Sequence, residues 1–478
     1  MEKLPVPKRL FFDVTDLRGH LQQGARVSGI QRVALMVIDH LRDLVGPETE
    51  IWLAYAPNRS NKYLAVQVTS PGLEPRVHGD PTAFAAMLGV EASDDASLPS
   101  MQKYRTGSHK FRTHRAIRDL NAALGREEHF RKRGTTLTEW KNARVQVMQP
   151  QTSTHEVDKL LQKGDDIIVL GAFWGSAARE AALARLSTQG ARVTLLIHDM
   201  IPVERPDFVA GAHGFIFFNS LQRSLAYVNC YLANSHYTAT DLARFLNQAA
   251  PERPLRLLQL AQDGVGETKV ALSEAADLYP DLTTIKHLGE TVKTIAKYPF
   301  VLCVGTWDTR KNLWRILQAW ARLAERAVPD LPKLVLAGGP GWGSDDADRY
   351  LKTSGQLGGW VEVVENISDA ELAFLYRRCQ FTVMLSLYEG WGLPIGESLA
   401  YGKTAIVSDC SSLPEVGGDL VLYCDPERIE SIASAVEELV CNPARRVELE
   451  VAISAASLRR WPDVAHDLLE TLTRSDEL

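Results

Sequence analysis

The chain has 478 residues, which at roughly 150 residues per domain suggests two large domains or three average ones. Lys and Arg number 53 and Asp and Glu 59, a formal net charge of −6, while 45% of the residues are hydrophobic and 23% charged. This composition excludes a disordered chain, a collagen-like repeat and a coiled coil, and gives no global reason to expect nucleic acid. No apolar run approaches the ~20 residues of a membrane span, and the N-terminus does not read as a signal peptide. Six scattered cysteines predict reduced thiols in a cytosolic protein.

The N-terminal half alternates short apolar runs with helical patterns. The predicted elements are, in chain order, a strand at 9–14, a helix at 31–44, strands at 166–170, 192–197 and 228–233, and a helix at 238–246. This alternation is typical of a doubly wound parallel sheet. We therefore predict an α/β domain over residues 1–285.

The same alternation restarts near residue 299. Its predicted strands are 300–304, 333–337, 361–364, 381–385 and 404–407, and a strongly amphipathic helix is predicted at 313–323. We therefore predict a second α/β domain over residues 286–458, with the boundary near 280–298.

A basic stretch interrupts the first domain. Residues 58–154 fit the alternation poorly and are predicted to be an irregular insertion. Within them, residues 103–133 hold ten Lys or Arg and three acidic residues, a net +7 on a −6 chain. This window predicts contact with anionic lipid or a phosphate-bearing acceptor. A solvated helical face without a partner is an equally weighted interpretation.

The segment SLYEGWGLPIGESLA, residues 386–400, is the strongest candidate site. It follows a predicted strand, so that Glu389 is placed in a loop at the strand's C-terminal end and Glu397 in the first turn of the next helix. Ligands of open α/β sheets bind at this edge, and Gly390 and Gly392 let backbone N–H groups approach them. Two carboxylates in this setting suit a ligand rich in hydroxyls. The alternative is one helix-dipole partner and one surface residue.

A second loop, GTWDTRKN at 305–312, also lies between a strand and a helix. Arg310 and Lys311 would stand near the helix N-terminus, where cations and N–H groups together suit a diphosphate. A solvated basic turn is the alternative. Gly29 in VSGIQRV permits close approach to an anion, although a lone glycine turn is a frequent structural feature. His198 follows a predicted strand, where it could meet a substrate hydroxyl or carry a proton, although a lone His–Asp pair is more often structural.

Metal and nucleophile motifs are missing from the sequence. There is no zinc-type Cys spacing, no His-x-x-x-His pair, no P-loop and no G-x-S-x-G elbow. The Asp-rich residues 344–348 are interpreted as a polar loop and a helix start. Phosphate charge is therefore expected to be met by Arg310, Lys311 and helix ends, and we predict no metal and no cofactor.

These motifs resemble the retaining nucleotide-sugar glycosyltransferases of family 4, in the branch that includes bacterial mannosyltransferases of surface polysaccharide assembly. The resemblance is dense from 301 to about 443 and thinner in SGIQRV, IHDMIP and ANSHYTATDLARF. It implies the GT-B fold, in which two Rossmann-like doubly wound domains face a central cleft. The first would be the acceptor domain and the second the donor domain, and residues 459–478 would form a helix crossing back to the first.

The resemblance also implies roles for particular residues. Glu389 would contact the donor sugar, and Glu397 would hold the ribose hydroxyls. Lys311 matches the family's diphosphate lysine. Thr306 stands where the family often has an arginine, and Arg310 would supply that charge.

The remaining implied contacts are made mainly by backbone. N–H groups of Gly390, Trp391, Gly392 and Leu393 would touch the sugar and the diphosphate, and Gly305 would open the diphosphate loop. His198 would face the donor sugar, and Gly29 would lie near the diphosphate.

The function expected from this resemblance is transfer of a hexosyl unit, with mannosyl from GDP-mannose as the first choice, to a glycan or lipid-linked acceptor. A UDP- or dTDP-sugar is the alternative donor. A non-catalytic nucleotide-sugar-binding or scaffold protein is the alternative of another class. We expect a cytoplasmic location, with peripheral attachment to the inner face of the membrane through residues 103–133, and no nucleic-acid partner.

Overall fold

The computed structural model consists of two sheets with flanking helices. It describes residues 9–22, 27, 29–46, 48–57, 62–68, 79, 81–90, 109–131, 137, 153–264 and 288–473. Among these residues, no helix combines the length and apolar character needed to cross a bilayer.

The first sheet has eight strands in the described part of the chain. They are β1 (Arg9–Asp13), β2 (Glu50–Tyr55), β3 (Leu64–Gln67), β4 (Thr154–Glu156), β5 (Asp166–Val169), β6 (Arg192–Ile197), β7 (Cys230–Ala233) and β8 (Leu255–Leu257). Their order is β4-β3-β2-β1-β5-β6-β7-β8. β1 pairs in parallel with β2 and β5, and β5 with β6, whereas β3 is antiparallel to both β2 and β4.

Helices connect these strands. They are α1 (Thr15–Gln22), α2 (Gly29–Leu44), α3 (Pro81–Met87), α4 (His109–Ala123), α5 (Glu127–Arg131), α6 (Val157–Leu160), α7 (Ala177–Thr188), α8 (Ile201–Glu204), α9 (His213–Ser224) and α10 (His236–Ala249). The predicted basic insertion, 58–154, therefore includes β3 and the helices α3 to α5 among its described residues. The helix between β1 and α2 was not predicted.

The second sheet has six parallel strands. They are β9 (Phe300–Val304), β10 (Lys333–Ala337), β11 (Val361–Val364), β12 (Thr382–Met384), β13 (Ala405–Ser408) and β14 (Leu422–Cys424). Their order is β11-β10-β9-β12-β13-β14. The chain thus builds outward from β9 in one direction and then resumes at β12 in the other, which is the doubly wound order with its switch point between β9 and β12.

The helices around the second sheet are short or amphipathic. They are α11 (Glu290–Ile295), α12 (Leu313–Glu325), α13 (Asp345–Thr353), α14 (Gly355–Gly359), α15 (Asp369–Arg378), α16 (Leu393–Ala400), α17 (Leu413–Gly417), α18 (Ile429–Cys441) and α19 (Pro443–Ala455). The last helix, α20 (Trp461–Thr473), begins in the second unit and ends in the first. The 3₁₀ turns in the described residues are Pro206–Phe208, Thr309–Lys311 and Gly418–Leu420.

The helix α12 shows why these sequences form these elements. Its apolar positions Ile316, Leu317, Trp320 and Leu323 recur at helical spacing and all are fully buried against the sheet. Burying each such side chain contributes about 1.5–3 kcal/mol. The Trp320 indole N–H is not left unpaired, because it donates to the Pro332 carbonyl at 3.1 Å.

Two compact units divide the chain. The first contains Met1–Leu196, Asn219–Tyr231 and Ala465–Leu478, and the second contains Ile197–Phe218 and Leu232–Val464. The predicted domain boundary at 285/286 falls in residues 265–287, which lie outside the described residues, so it stays a prediction. The predicted crossing of the C-terminal helix likewise stays a prediction.

Candidate active site

The candidate site of the second unit lies where the sheet reverses direction. The loops that follow β9 and β12 leave the adjacent carboxyl ends of these strands, and ligands of open α/β sheets bind at such a switch point. A small pocket opens there. Its lining includes Gly305, Thr306 and Lys311 from the first loop and Leu385 and Ser386 from the second.

Backbone packing fixes the first of these loops. Gly305 has a φ of +136° and Gly338 one of +154°, values that L side chains rarely adopt. A Cβ on Gly338 would overlap the Gly305 carbonyl group. The Trp307 N–H donates to the Gly339 carbonyl and the Thr309 N–H to the Trp342 carbonyl, each at 3.0 Å. The loop that should carry the diphosphate contacts is therefore braced by the loop after β10.

The two predicted cations converge on the predicted carboxylate. Arg310 and Lys311 both pair with the same oxygen of Glu389, with a Lys311 Nζ to Glu389 Oε1 distance of 2.6 Å. Arg310 also donates to the Tyr388 carbonyl at 3.4 Å, and the Leu387 N–H donates to the Arg310 carbonyl at 2.8 Å. Sequence reasoning placed these residues on two loops, and the structure brings their charged groups together.

This pairing keeps Glu389 ionised. Burial alone would raise the pKa of Glu389, but the charges of Arg310 and Lys311 outweigh burial and hold the pKa at about 2. Burial would likewise lower the pKa of Arg310, but Glu389 and then Asp199 reverse that effect and raise it. At neutral pH Glu389 is therefore a carboxylate that faces the Arg310 guanidinium.

Asp199 is a member of this charge cluster that was not among the predicted site residues. It follows His198, and one of its oxygens accepts the Ile201 N–H at 3.1 Å. Burial raises the pKa of Asp199, and the nearby Arg310 partly offsets that rise. Its position two residues after the end of β6, beside His198, was the sequence signal that could have found it.

The predicted His198 approaches the site loop through its backbone. A Cβ on Gly390 would overlap the His198 carbonyl oxygen, so only glycine fits at residue 390. The Thr238 hydroxyl lies 3.4 Å from both the His198 and the Gly390 carbonyl oxygens. The structure thus places His198 beside the loop of Glu389, and its imidazole is largely buried.

The residues after Glu389 lead directly into the N-terminus of the helix α16. Gly392 has a φ of +122°, and Leu393 and Pro394 begin α16. The Ser412 hydroxyl lies 2.9 Å from both the Glu389 and the Trp391 carbonyl oxygens, and the Trp391 indole donates to the Ala261 carbonyl at 3.3 Å. Gly390 to Leu393 are therefore held firmly at the start of the helix.

Glu397 lies in the second turn of α16, just beyond the first turn in which it was predicted. Because α16 begins at Leu393, Glu397 is its fifth residue and belongs to the second turn. Its side chain is buried, and one of its oxygens accepts the Tyr376 hydroxyl at 2.6 Å. The ring of Tyr376 stacks on Tyr401 with centroids 5.3 Å apart.

Two other predicted residues occupy different settings. Thr306 is exposed on the rim of the pocket, so the family's usual arginine position carries no charge here. Gly29 belongs to the first unit, where it begins α2 with a φ of +53°. Open space surrounds the position of a Cβ on Gly29. Within the described residues, no three His, Cys, Asp or Glu side chains are grouped as metal ligands would be.

Comparison with known sequences finds a family match within the second unit. Residues 290–456 match the family described as Glycosyl transferases group 1. The chain is 29% identical over 275 residues to the O-antigen chain mannosyltransferase B of Escherichia coli, a match covering 56% of this chain and 66% of that protein. It is 24% identical over 292 residues to the serotype-specific mannosyltransferase WbdA of Escherichia coli, covering 59% of this chain and 33% of that protein. The chain thus spans less than two thirds of either relative.

Solved structures share the fold over nearly the whole chain. The sucrose-phosphate synthase of Thermosynechococcus elongatus gives a TM-score of 0.56 at 16% identity, covering 98% of this chain and 99% of that chain. An Escherichia coli structure described as trehalose-6-phosphate bound with UDP-2-fluoro glucose gives 0.54 at 13% identity, with the same coverage. The predicted fold, GT-B with two Rossmann-like domains, is confirmed at this level.

Proposed function

We propose that this chain, whose residues 290–456 are a group 1 glycosyltransferase domain, moves a mannosyl unit from a nucleotide sugar to a glycan or lipid-linked acceptor. GDP-mannose is the proposed donor, and a UDP- or dTDP-sugar is the alternative. The two relatives named mannosyltransferases support the choice of sugar. One observation carries the proposal: Arg310, Lys311 and Glu389 meet at the switch point of a doubly wound sheet.

The charges at this point suit the leaving group of such a reaction. Breaking the bond between sugar and phosphate leaves negative charge on the nucleoside diphosphate and builds positive charge on the sugar. Lys311 and Arg310, braced before the donor arrives, would stabilise the diphosphate. These cations pair with Glu389, so the diphosphate would compete with a carboxylate for them.

Glu389 would act as an anion and not as an acid. With a pKa of about 2 it holds no proton to donate near neutral pH. A fixed carboxylate beside the donor would instead stabilise the positive charge that develops on the sugar. Glu397 would hold the ribose hydroxyls, and His198 and the backbone of Gly390 would contact the sugar.

We propose that the reaction retains the configuration of the sugar. The acceptor hydroxyl would attack from the face that the diphosphate leaves, and the leaving phosphate oxygen would take the acceptor proton. This step balances without a metal or a separate base, since the new bond to the acceptor replaces the bond to phosphate. Proton NMR of the first-formed product distinguishes retention from inversion.

The donor assignment is tested with a panel of nucleotide sugars. A donor at 100 times its dissociation constant should raise the free energy of unfolding by ~2.7 kcal/mol. GDP-mannose should give the largest thermal shift and release GDP when acceptor is present. A larger response to a UDP- or dTDP-sugar would overturn the donor, and binding without turnover in any acceptor extract would support the scaffold alternative.

The acceptor side is proposed to lie at an anionic membrane surface, with the chain on its cytoplasmic face. The helix α4 supports this proposal, because it leaves Ile117 (42%), Leu120 (59%) and the following Leu124 (54%) exposed along one stripe. Lys110 and Arg112 are also exposed on this helix. Apolar side chains flanked by cations are typical of helices that lie in a membrane interface.

Vesicle co-sedimentation tests this attachment. The chain should sediment with phosphatidylglycerol vesicles, less so at high salt, and weakly with phosphatidylcholine vesicles. Leu120→Asp, or Lys110→Gln with Arg112→Gln, should reduce sedimentation several-fold. Val451→Asp is the matched control, since Val451 is 61% exposed on α19. Unchanged sedimentation of the α4 variants would instead favour a solvated face without a partner.

A further inference from the structure

A buried tyrosine stands next to the reactive-site carboxylate. Tyr388 immediately precedes Glu389 and is 5% exposed. Its hydroxyl donates to a carboxylate oxygen of Asp241, which is 3% exposed and lies on the helix α10. The two residues are 147 positions apart in the chain, so this bond ties the site loop to a distant helix.

Further contacts hold both partners of this bond in place. The other oxygen of Asp241 pairs with Arg244, which also lies 3.6 Å from Glu204. The ring of Tyr237 packs edge-on against Tyr388 with centroids 5.3 Å apart. These contacts hold the Tyr388 ring and the Asp241 carboxylate from two sides.

The N-terminus of α10 is tied to the segment that follows the site. The two carboxylate oxygens of Glu415 accept the N–H groups of His236 and Tyr237, at 2.7 and 2.8 Å. These N–H groups lie at the positive end of the helix, where a carboxylate is favourable. The helix that carries Asp241 is therefore anchored before it receives the Tyr388 hydroxyl.

The Tyr388 hydroxyl keeps its proton, and so remains a hydrogen-bond donor, over the neutral pH range. Burial, and then the hydrogen bond to Asp241, raise the pKa of Tyr388 well above its ordinary value. The phenol stays protonated through the neutral range, and the bond persists across the pH at which transfer would be measured.

We infer that Tyr388 is a positioning residue, whose bond to Asp241 sets where the Glu389 carboxylate stands relative to Arg310 and Lys311. The catalytic consequence rests on the proposed function, whereas the positioning itself does not. Tyr388 holds the backbone on one side of Glu389, and the tight packing of Gly390 on the His198 carbonyl holds it on the other. A displacement of about 1 Å at a reacting group can cost 100-fold in rate.

Removal of the hydroxyl alone tests the bond without opening a cavity. Tyr388→Phe should lower kcat at least tenfold while the KM for donor changes less than threefold. Asp241→Asn keeps an amide oxygen that can accept from the Tyr388 hydroxyl, so its kcat should stay close to that of the wild type. Asp241→Leu removes the acceptor and should lower kcat as much as Tyr388→Phe does. Equal losses in Asn and Leu variants would mean that the Asp241 charge matters and not its bond, and would overturn the inference.

A matched control exists in the first unit. The Tyr63 hydroxyl donates to buried Asp13 at 2.5 Å, and Asp13 lies 3.7 Å from Arg179. Tyr63→Phe therefore removes the same kind of bond elsewhere. If Tyr63→Phe lowers kcat as much as Tyr388→Phe does, the effect is a general loss of stability and the inference fails.

Hydrogen–deuterium exchange separates positioning from activity. In Tyr388→Phe the peptide covering 386–393 should exchange at least fivefold faster than in the wild type, and in Tyr63→Phe it should not. Unchanged exchange in this peptide overturns the inference whatever the activity. Faster exchange in a chain that transfers no sugar from any donor would uphold the positioning and sink the proposed function alone.

Discussion

Glu389 is the residue on which the charge balance of the site turns. Because its pKa is depressed to about 2 from the ordinary 4.5, it is ionised in the folded chain at every pH above that range. The stabilisation from its two cations is fully present above pH 4.5 and is lost as the pH falls toward 2. As the pH is lowered, kcat/KM for transfer should therefore not fall with an apparent pKa near 4.5. A profile of kcat/KM from pH 4 to 9 that falls with a pKa of 4.5 would contradict this ionisation state.

The pairing of Glu389 also predicts that Glu389→Gln lowers the rate of transfer without weakening the binding of the nucleoside diphosphate. Transfer should fall about 100-fold because the anion that faces the sugar is gone. The affinity for the nucleoside diphosphate, measured by calorimetry, should stay equal or rise, since Arg310 and Lys311 no longer have a competing carboxylate.

A second glutamate provides the control for this substitution. Glu430 accepts from Arg322 at 3.1 Å and from Arg326 at 2.6 Å, but it is about half exposed. Glu430→Gln should change neither transfer nor nucleotide affinity. Weaker nucleotide binding in Glu389→Gln, with normal binding in Glu430→Gln, would mean that Glu389 contacts the nucleotide directly.

At the scale of an element, α12 shows how one helix supports the site from behind. Trp320 is fully buried beneath the sheet, whereas Trp314 on the same helix is 45% exposed and packs on Tyr350. Trp320→Ala should lower the free energy of unfolding by about 3–5 kcal/mol, and Trp314→Ala by less than about 1 kcal/mol. Denaturant unfolding measures both changes in the free energy of unfolding. Equal losses in the two variants would show that α12 does not bury the face that carries Trp320.

Elements with strong local patterns were predictable. The strands 192–197, 300–304, 333–337 and 361–364 were predicted with the bounds that the structure has, because each is an apolar run flanked by turn residues. The strand β3 and its neighbour at the sheet edge, β4, were not predicted, since short antiparallel pairing across about 90 residues leaves no local signal. The turn that holds Glu397 shifted by the one to two residues typical of helix ends.

Side-chain directions in the site were beyond sequence reasoning. The loops of Arg310, Lys311 and Glu389 could be placed at one sheet edge from strand order alone. That both cations share one carboxylate oxygen, and that Asp199 stands near them, depends on packing between segments about 80 to 190 residues apart. The Tyr388 bond to Asp241 had no sequence signal for the same reason.

At the scale of the whole molecule, the donor should stabilise one unit more than the other. The residues proposed to bind it lie in the second unit, apart from Gly29. Saturating GDP-mannose should slow hydrogen exchange most in peptides covering 305–311 and 386–400, with smaller effects in β1, β2 and β5. Protection spread evenly over both sheets would contradict binding at the switch point.

The interlock between Gly338 and Gly305 limits how donor preference could be altered by design. The backbones of two loops that leave neighbouring strands are in van der Waals contact there, without side chains between them. Grafting one loop from a homologue with another donor would therefore create a collision unless its neighbour came with it. Residues 305–312 and 338–344 would therefore have to be exchanged together in any such design.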